Sequence, residues 1–157
     1  MTKLYSRSVE DYLEAIYNIV LEKGYARTKD ISQELKITPS SVTGMMRKLD
    51  SDGLINYEKY GAVTLTDKGR EIAETIKEKH DILRAFLNIL MISDKTADAD
   101  ACRLEHDLSP ESIKQLTRFV EFVEEAPINP RWLEHFREYC ATGEYSCNQI
   151  KKKINRL

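Results

Sequence analysis

The chain has 157 residues, of which 41% are hydrophobic and 32% are charged, and its formal net charge is −2. This length suits one long domain or two small ones, and the composition is typical of a helix-rich soluble protein. The near-neutral charge excludes a global basic field, so any contact with nucleic acid must come from a local patch. No segment is apolar enough for a signal peptide or a membrane span, and three widely spaced cysteines fit reduced thiols. We therefore expect a cytoplasmic protein.

The first three predicted elements are helices arranged around a tight turn. Apolar residues recur at helical spacing from Ser8 to Lys23, with Ser8 as the expected N-cap and Asp11 as the capping-box acid. A short helix follows, which Thr28 or Asp30 opens and which runs through Ile31 to Leu35. Thr38 then caps a longer helix with Pro39 at its first position, which is the favoured place for proline. This order predicts a helix-turn-helix.

The longer helix, which extends to about Asp52, has two different faces. One face is an apolar stripe formed by Val42, Met45, Met46 and Leu49. The other face carries small hydroxyl side chains, a glycine and two cations, which permit close approach to a polyanion and bind phosphate. An ordinary solvated face has similar residues, so the neighbouring elements decide between the two interpretations. The residues expected here to contact DNA are Arg27, Thr38, Pro39, Ser40, Ser41, Thr43, Arg47 and Lys48.

The next segment predicts a β-hairpin. Residues 54–58 and 62–65 can form two strands on either side of a Lys59-Tyr60-Gly61 turn. A hairpin directly after a recognition helix is a wing, and a basic and aromatic tip can reach the DNA backbone or the minor groove. We therefore add Lys59 and Tyr60 to the expected DNA contacts. This order of a helix, a turn, a second helix and a wing favours DNA binding by the polar face of the longer helix over an ordinary solvated face.

The second half of the chain is predicted to be helical. Thr66 or Asp67 caps a long helix that starts at Lys68, ends at about Leu90 and contains His80. Ser109 and Pro110 have the N-cap and first-position pattern of another helix start. Further helices are predicted at about 96–108, 110–125, 132–139 and 146–157, with a break at 91–95 and a proline-containing linker at 127–130.

A candidate metal site lies in the helix predicted at 96–108. Cys102, Glu105 and His106 stand at i, i+3 and i+4, one above another on a helix face. Thiolate, carboxylate and imidazole groups all bind divalent metals, but three ligands on one turn supply only part of a coordination sphere. From spacing alone, a half-buried cysteine beside an exposed Glu-His pair explains the pattern equally well. The candidates to complete the site are Asp11 and Glu14 on the first helix and His80 on the long helix.

Five segments resemble one family of bacterial regulators. They are VEDYLEAIY at 9–17, PSSVTGMMRKLDSDGLI at 39–55, LTDKGREIA at 65–73, Lys79-His80 and ACRLEHDLSPE at 101–111. In combination and in order they resemble the diphtheria-toxin-repressor and manganese-transport-regulator family of metal-activated repressors. The resemblance implies a repressor that binds a pseudo-palindromic operator as a homodimer when it is loaded with metal, and that controls metal-ion uptake genes.

The resemblance also implies a mainly α fold with three parts. A winged helix-turn-helix DNA-binding domain would occupy residues 1–70, and a helical dimerisation and metal-binding domain would occupy residues 71–126. A C-terminal helical extension would occupy residues 127–157. We expect no room in this chain for the SH3-like domain of the longer family members.

By position, the resemblance implies two neighbouring metal sites. Asp11, Cys102, Glu105 and His106 would form the first site, and Glu14 and His80 would join Glu105 in the second. Asp11 and Glu14 resemble the manganese branch of the family, whereas Cys102 resembles the iron branch. Carboxylates suit Mn²⁺ and Fe²⁺, and a thiolate favours Fe²⁺, Co²⁺ or Zn²⁺. We therefore expect Fe²⁺ first and Mn²⁺ second, with Zn²⁺ and Co²⁺ as further options.

Two other functions compete with this interpretation. A metal-independent winged-helix regulator could use Cys102 as a redox sensor. A metallohydrolase could use Cys102, Glu105 and His106, but the sequence has no glycine-rich phosphate loop and no nucleophile elbow, so we expect no enzyme. Cys140 and Cys147 are too widely spaced for a typical metal-binding pattern.

Overall fold

In the computed structural model of this chain, residues 5–58 and 61–145 are described. The predicted wing-tip residues Lys59 and Tyr60 lie outside these ranges, as does the predicted terminal helix or tail at 146–157. The chain divides into two compact units, Met1–Asp81 and Ile82–Leu157. The boundary between them falls within one long helix.

The predicted mainly α fold with an N-terminal winged helix-turn-helix is confirmed. The two strands are β1 (Ile55–Tyr57) and β2 (Val63–Leu65). The helices are α1 (Arg7–Lys23), α2 (Thr28–Leu35), α3 (Pro39–Ser51), α4 (Asp67–Ile89), α5 (Asp94–Leu104), α6 (Pro110–Glu124) and α7 (Arg131–Thr142). No helix within the described ranges is long and apolar enough to cross a lipid bilayer.

The core of the first unit is built on one stripe of α1. This stripe meets the apolar faces of α2 and α3 and the inner residues of the hairpin, and burial of each large side chain contributes about 1.5–3 kcal/mol. The completely buried members are Leu13, Ile16, Ile31, Val42, Met46, Leu49, Leu54 and Val63. The 3.6-residue period of the apolar positions therefore places the opposite face of α3 at the surface.

The predicted boundaries of two helices were wrong. α1 begins at Arg7, because the carbonyl of Ser6 already accepts the N–H groups of Val9 and Glu10. Ser8 is therefore inside the first turn rather than at the N-cap. α5 covers Asp94–Leu104 instead of 96–108, and its end is closed by the carbonyl of Leu104, which accepts the N–H groups of two later residues.

The turn between α2 and α3 is short and strongly constrained. Lys36 adopts a left-handed conformation with φ of 55°, which reverses the chain direction after α2. The Ser32 hydroxyl then donates to the carbonyl of Ile37 over 2.6 Å, and the Ile37 N–H donates to the carbonyl of Ser32. These bonds fix the angle at which the chain enters α3.

The hairpin is antiparallel and is tied to the segment between α1 and α2. Ile55 pairs with Leu65, and Tyr57 pairs with Val63. Val63 also exchanges two backbone hydrogen bonds with Ala26, at 2.9 and 2.8 Å. The wing strands therefore have a fixed register relative to the start of α2.

The second unit contains the end of α4 and helices α5 to α7. Its buried apolar residues are Leu83, Leu87, Ala97, Ala101, Val120 and Leu133. Phe119 on α6 meets Phe86 edge-on at 5.7 Å between ring centroids, and its ring also lies 5.9 Å from that of Trp132 on α7. Aromatic contacts of this kind add to the burial energy and hold the three helices together.

Candidate metal centre and DNA-reading surface

The first turn of α3 presents a cluster of hydroxyl groups. Thr38 caps the helix, and its hydroxyl oxygen accepts the N–H of Ser41 over 3.4 Å. The same oxygen lies within hydrogen-bond distance of the hydroxyls of Ser40 and Ser41, at 3.0 and 2.9 Å. With Pro39 these residues are exposed. Hydroxyl groups and backbone N–H groups at a helix N-terminus suit contact with phosphate oxygens.

The cations of the predicted DNA-reading face are also at the surface. Arg47 and Lys48 are exposed on α3, whereas Thr43 is half-buried and donates its hydroxyl hydrogen to the carbonyl of Pro39 over 2.9 Å. A Cβ atom at Gly44 would meet nothing within 4 Å. This face is therefore open enough for a duplex to approach closely.

Arg27 lies near Asp30, whose carboxylate already accepts two hydrogen bonds. Its backbone N–H and the Lys23 ammonium both donate to the Asp30 carboxylate, each at 3.0 Å. The hydrogen bond from Lys23 is the main reason that the pKa of Asp30 lies below its ordinary value. Burial opposes this effect, and the bond from the Arg27 backbone adds to it. The Arg27 guanidinium instead lies 5.4 Å from the centre of the Tyr25 ring. Its charge is thus held over an exposed aromatic surface.

Asp50 is a structural residue of this surface that sequence analysis missed. It is the first carboxylate along α3, and its Oδ1 atom accepts the backbone N–H of Tyr57 over 3.0 Å. The bond joins the last turn of the DNA-reading helix to the first wing strand. Asp50 is the only acidic residue in α3, and this isolated position was the one feature of the sequence that could have indicated its role.

Two predicted metal ligands meet within the first unit. A carboxylate oxygen of Glu14 on α1 and an imidazole nitrogen of His80 on α4 lie within 4.8 Å of one another. His80 is 8% exposed, and Glu14 is half-buried. Asp11 is half-buried three residues before Glu14 on the same helix. The separation of the Glu14 and His80 donor atoms is compatible with two ligands of one cation.

Two further predicted ligands meet within the second unit. The Nε2 atom of His106 lies 3.2 Å from Oε1 of Glu105, and both side chains are almost completely inaccessible. Glu105 is the C-cap of α5, where its N–H donates to the carbonyl of Ala101 over 3.0 Å. A carboxylate in such a position carries a large desolvation cost unless it is paired or binds a metal.

Cys102 is exposed as a residue, whereas the side chains of Glu105 and His106 are almost completely inaccessible. The buried stripe of this segment runs through Ala97, Ala101 and Glu105, at intervals of four residues. Cys102 follows Ala101 and is therefore rotated about 100° around the helix from that stripe. Cys102 therefore lies beside the buried stripe, whereas Glu105 lies on it.

Burial distinguishes two of the predicted ligands from the rest of the described chain. Among residues 5–58 and 61–145, the polar or charged residues buried as whole residues are His80 and Glu105, at 8% and 2% exposure. Charged and polar groups are rarely buried without a compensating partner or ligand. Each unit therefore contains a residue with metal-ligating chemistry that is buried as a whole.

Comparison with known proteins gives the family. Residues 5–63 match the family described as "Iron dependent repressor, N-terminal DNA binding domain". Residues 66–133 match "Iron dependent repressor, metal binding and dimerisation domain". Together the two matches cover most of the chain and follow one another in sequence.

A curated relative agrees with these matches. The chain is 41% identical to the HTH-type transcriptional regulator MntR of Lysinibacillus sphaericus over 120 residues. This aligned region covers 76% of this chain and 86% of the relative. The relative is named a transcriptional regulator, so it supports the expectation of a regulator rather than an enzyme.

Solved structures share the fold. The crystal structure of T. acidophilum IdeR is 31% identical with a TM-score of 0.64, and the match covers 69% of this chain and 52% of that one. The structure of the manganese regulator SloR is 28% identical with a TM-score of 0.63, over 73% of this chain and 54% of that one. This chain thus spans about half the length of these two structures. On the two family matches and the curated relative, the chain belongs to the diphtheria-toxin-repressor and manganese-transport-regulator family of metal-dependent transcriptional repressors.

Proposed function

We propose that this chain is a cytoplasmic repressor that binds operator DNA as a homodimer when it holds Mn²⁺, and that it controls genes for metal-ion uptake. The observation that carries the proposal is the burial of His80 and Glu105, together with the approach of Glu14 to His80. Buried ionisable groups of this kind require a partner charge or a metal ion. A DNA-binding domain followed by a metal-binding domain gives such an ion a regulatory role.

The donor groups fit a divalent cation. Glu14, His80 and Glu105 offer two carboxylate oxygens and an imidazole nitrogen, and we propose that they form one ligand set. Asp11, Cys102, Glu105 and His106 form the neighbouring set that the family resemblance implies. Carboxylate and imidazole ligands suit Mn²⁺ and Fe²⁺, whereas a thiolate is the donor that would pull the preference toward iron, cobalt or zinc.

We place Mn²⁺ ahead of Fe²⁺, which reverses the order expected from the sequence. The iron preference rested on Cys102, and this residue is exposed, whereas the side chains of Glu105 and His106 are buried. One of the similar solved structures is also named a manganese regulator. Zn²⁺ and Co²⁺ remain useful test ions, since affinity alone favours Zn²⁺ over Mn²⁺.

The carboxylates give the metal dependence its physical basis. When ionised, Asp11, Glu14 and Glu105 repel one another, which disfavours conformations that bring them together. A bound cation supplies the positive charge that offsets this repulsion. Its effect on DNA binding then equals its differential affinity for the conformation that fits the operator.

The predicted DNA contacts fall into two groups, those that would meet base edges and those that would meet the DNA backbone. Ser40, Thr43 and Arg47 would face the base edges from α3, because the apolar stripe fixes the opposite face in the core. The remaining predicted contacts would position the protein on the backbone. These are Arg27, Thr38, Pro39, Ser41 and Lys48, with Lys59 and Tyr60 at the wing tip.

We propose that the functional parts follow the expected division at residues 1–70, 71–126 and 127–157. Two copies would associate through the helical part after residue 70, which would present two α3 helices to the half-sites of a pseudo-palindromic operator. The spacing of those half-sites would then be set by the dimer.

The experiment that tests the proposal is DNA binding by the purified full chain with and without metal. The probe is a duplex selected from a random-sequence pool with the Mn²⁺-loaded protein, and the salt concentration is held constant. We expect Mn²⁺ to strengthen binding by about 5–150-fold and a chelator to reverse the effect. Equal affinity in both conditions contradicts the proposal.

One observation favours a second candidate function. Cys102 is an exposed residue, as a metal-independent redox regulator that uses its thiol requires. DNA binding that is insensitive to a chelator and lost on treatment with peroxide supports this alternative. Sensitivity to the chelator in reduced protein supports the metal-dependent repressor.

A further inference from the structure

We propose that Thr66 is a positioning residue that couples α4, the helix carrying His80, to the recognition helix α3. The inference rests on the proposed function, because it concerns how metal binding at His80 reaches the DNA-reading surface. It assigns a role to the junction between the wing and α4, which contains no predicted metal ligand and no predicted DNA contact.

Thr66 stands between β2 and α4 and binds to both sides of this junction. Its backbone N–H donates to the carbonyl of Leu54 over 3.1 Å, and its hydroxyl donates to the carbonyl of Gly53 over 2.8 Å. The hydroxyl oxygen also accepts the N–H of Gly69 over 3.1 Å, and the Thr66 carbonyl accepts the N–H of Arg70. One residue thus joins the segment after α3 to the first turn of α4.

The segment after α3 is itself fixed to that helix. The N–H of Gly53 donates to the carbonyl of Asp50 over 3.0 Å, and the N–H of Leu54 donates to the carbonyl of Leu49 over 2.9 Å. The φ of 69° at Gly53 turns the chain back toward the core, where Leu54 is completely buried. A displacement of the Leu54 carbonyl must therefore move the end of α3.

α4 meets the same carbonyl without an intervening side chain. A Cβ atom built at Gly69 would lie 1.9 Å from the carbonyl oxygen of Leu54, which is far inside van der Waals contact. The backbone of the first turn of α4 therefore rests directly on Leu54. Contacts packed this closely transmit a displacement because no flexible side chain is present to absorb it.

The other end of the path is His80. α4 is one continuous helix from Asp67 to Ile89, and His80 lies about 16 Å along its axis from Gly69 at 1.5 Å per residue. If α4 changes direction when His80 becomes a ligand, the hydrogen bonds that Thr66 makes to both sides of the junction would move with it. The metal ligand and the DNA-reading helix then share one hydrogen-bonded connection within the first unit.

The test compares three variants with the wild type. Thr66→Val removes the hydroxyl but keeps the shape of the side chain and the backbone bonds, whereas Thr66→Ser keeps the hydroxyl. Thr64→Val is the matched control, because it removes a hydroxyl from β2 that accepts a hydrogen bond from Asn56 at 3.3 Å. For each protein, the affinity for the selected duplex is measured with and without saturating Mn²⁺ at one salt concentration.

The readout is the ratio of the two affinities, which a loss of stability alone does not change. We expect Thr66→Val to reduce the wild-type ratio by about fivefold or more, and we expect Thr66→Ser and Thr64→Val to retain it. An unchanged ratio in folded Thr66→Val overturns the inference and leaves the proposed function intact. A ratio of one in the wild type overturns the proposed function and this inference with it.

A second measurement needs neither a variant nor DNA. Amide hydrogen exchange of the wild type reports the stability of the bonds made by the N–H groups of Leu54, Thr66 and Gly69. We expect added Mn²⁺ to slow exchange at these three amides. Exchange that slows around His80 but stays the same at all three amides contradicts the inference.

Discussion

Glu14 on α1 and His80 on α4 place a carboxylate oxygen and an imidazole nitrogen within 4.8 Å of each other. The two residues are far apart in sequence, and His80 is buried. Under the proposed function, this proximity would give the first unit, which also carries α3, a direct part in metal binding.

Replacement of His80 by alanine should weaken Mn²⁺ binding. Loss of groups that only orient a ligand already lowers metal affinity by 10–100-fold, so removal of a ligand should cost at least about that factor. Isothermal titration of the folded protein with Mn²⁺ measures the change. His135→Ala is the matched control, since His135 is half-buried on α7 and belongs to neither proposed ligand set. Equal affinities for all three proteins would exclude His80 as a ligand.

Replacement of Arg47 by alanine should weaken DNA binding and leave Mn²⁺ binding unchanged. Arg47 is exposed on α3, and a base contact by arginine contributes about 1–3 kcal/mol, while a phosphate contact changes the salt dependence by about one ion. Affinities at several salt concentrations distinguish these two roles. Arg118→Ala on α6 serves as the control for loss of an exposed cation. An equal loss of DNA affinity in both variants would argue against a specific contact by Arg47.

Gly69 and Gly44 should respond in opposite ways to replacement by alanine. At Gly69 the new methyl group would lie 1.9 Å from the Leu54 carbonyl oxygen, so we expect a loss of about 2–3 kcal/mol or more in the free energy of unfolding. At Gly44 the helix surface is open, and alanine should stabilise the protein by about 0.5–1 kcal/mol. Denaturant unfolding measures both. A well-tolerated Gly69→Ala would mean that α4 does not rest on Leu54.

The Asp30 carboxylate should stabilise the fold in a pH-dependent way. Its pKa is lowered in the folded protein, chiefly by the hydrogen bond from Lys23, so the charged form is favoured by folding. The stabilisation is therefore complete above the unfolded-state pKa and is lost as the pH falls through the lower folded-state pKa. We expect Asp30→Asn to lower the free energy of unfolding at pH 7 by about 0.5–1 kcal/mol, in the range of a helix cap. The difference between variant and wild type should disappear in acid, and a constant difference would contradict this assignment.

Local sequence signals predicted the DNA-binding half well. Thr38 and Pro39 marked the start of α3, and the apolar stripe on that helix fixed its exposed face. These features depend on neighbours in the chain, so their periodicity and capping chemistry are visible in the sequence. The family resemblance added the order of the two domains.

Features that depend on three-dimensional packing were not predictable in this way. The spacing of Cys102, Glu105 and His106 could not show that Glu105 is buried as a whole residue while Cys102 is exposed. The sequence predicted a helix cap at Thr66 or Asp67, whereas the bond from Thr66 to Gly53 depends on how the hairpin returns to α3. Neither relationship follows from the residue types at those positions.

The measurement that tests the central claim most directly is the Mn²⁺ affinity of the chain with and without saturating operator duplex. When metal and DNA both shift the same conformational equilibrium, their effects on each other are reciprocal. The duplex must therefore raise Mn²⁺ affinity by the same factor by which Mn²⁺ raises DNA affinity. We predict equal factors in the wild type and a strongly reduced factor in Glu105→Gln. A Mn²⁺ affinity that is the same with and without the duplex would contradict the account.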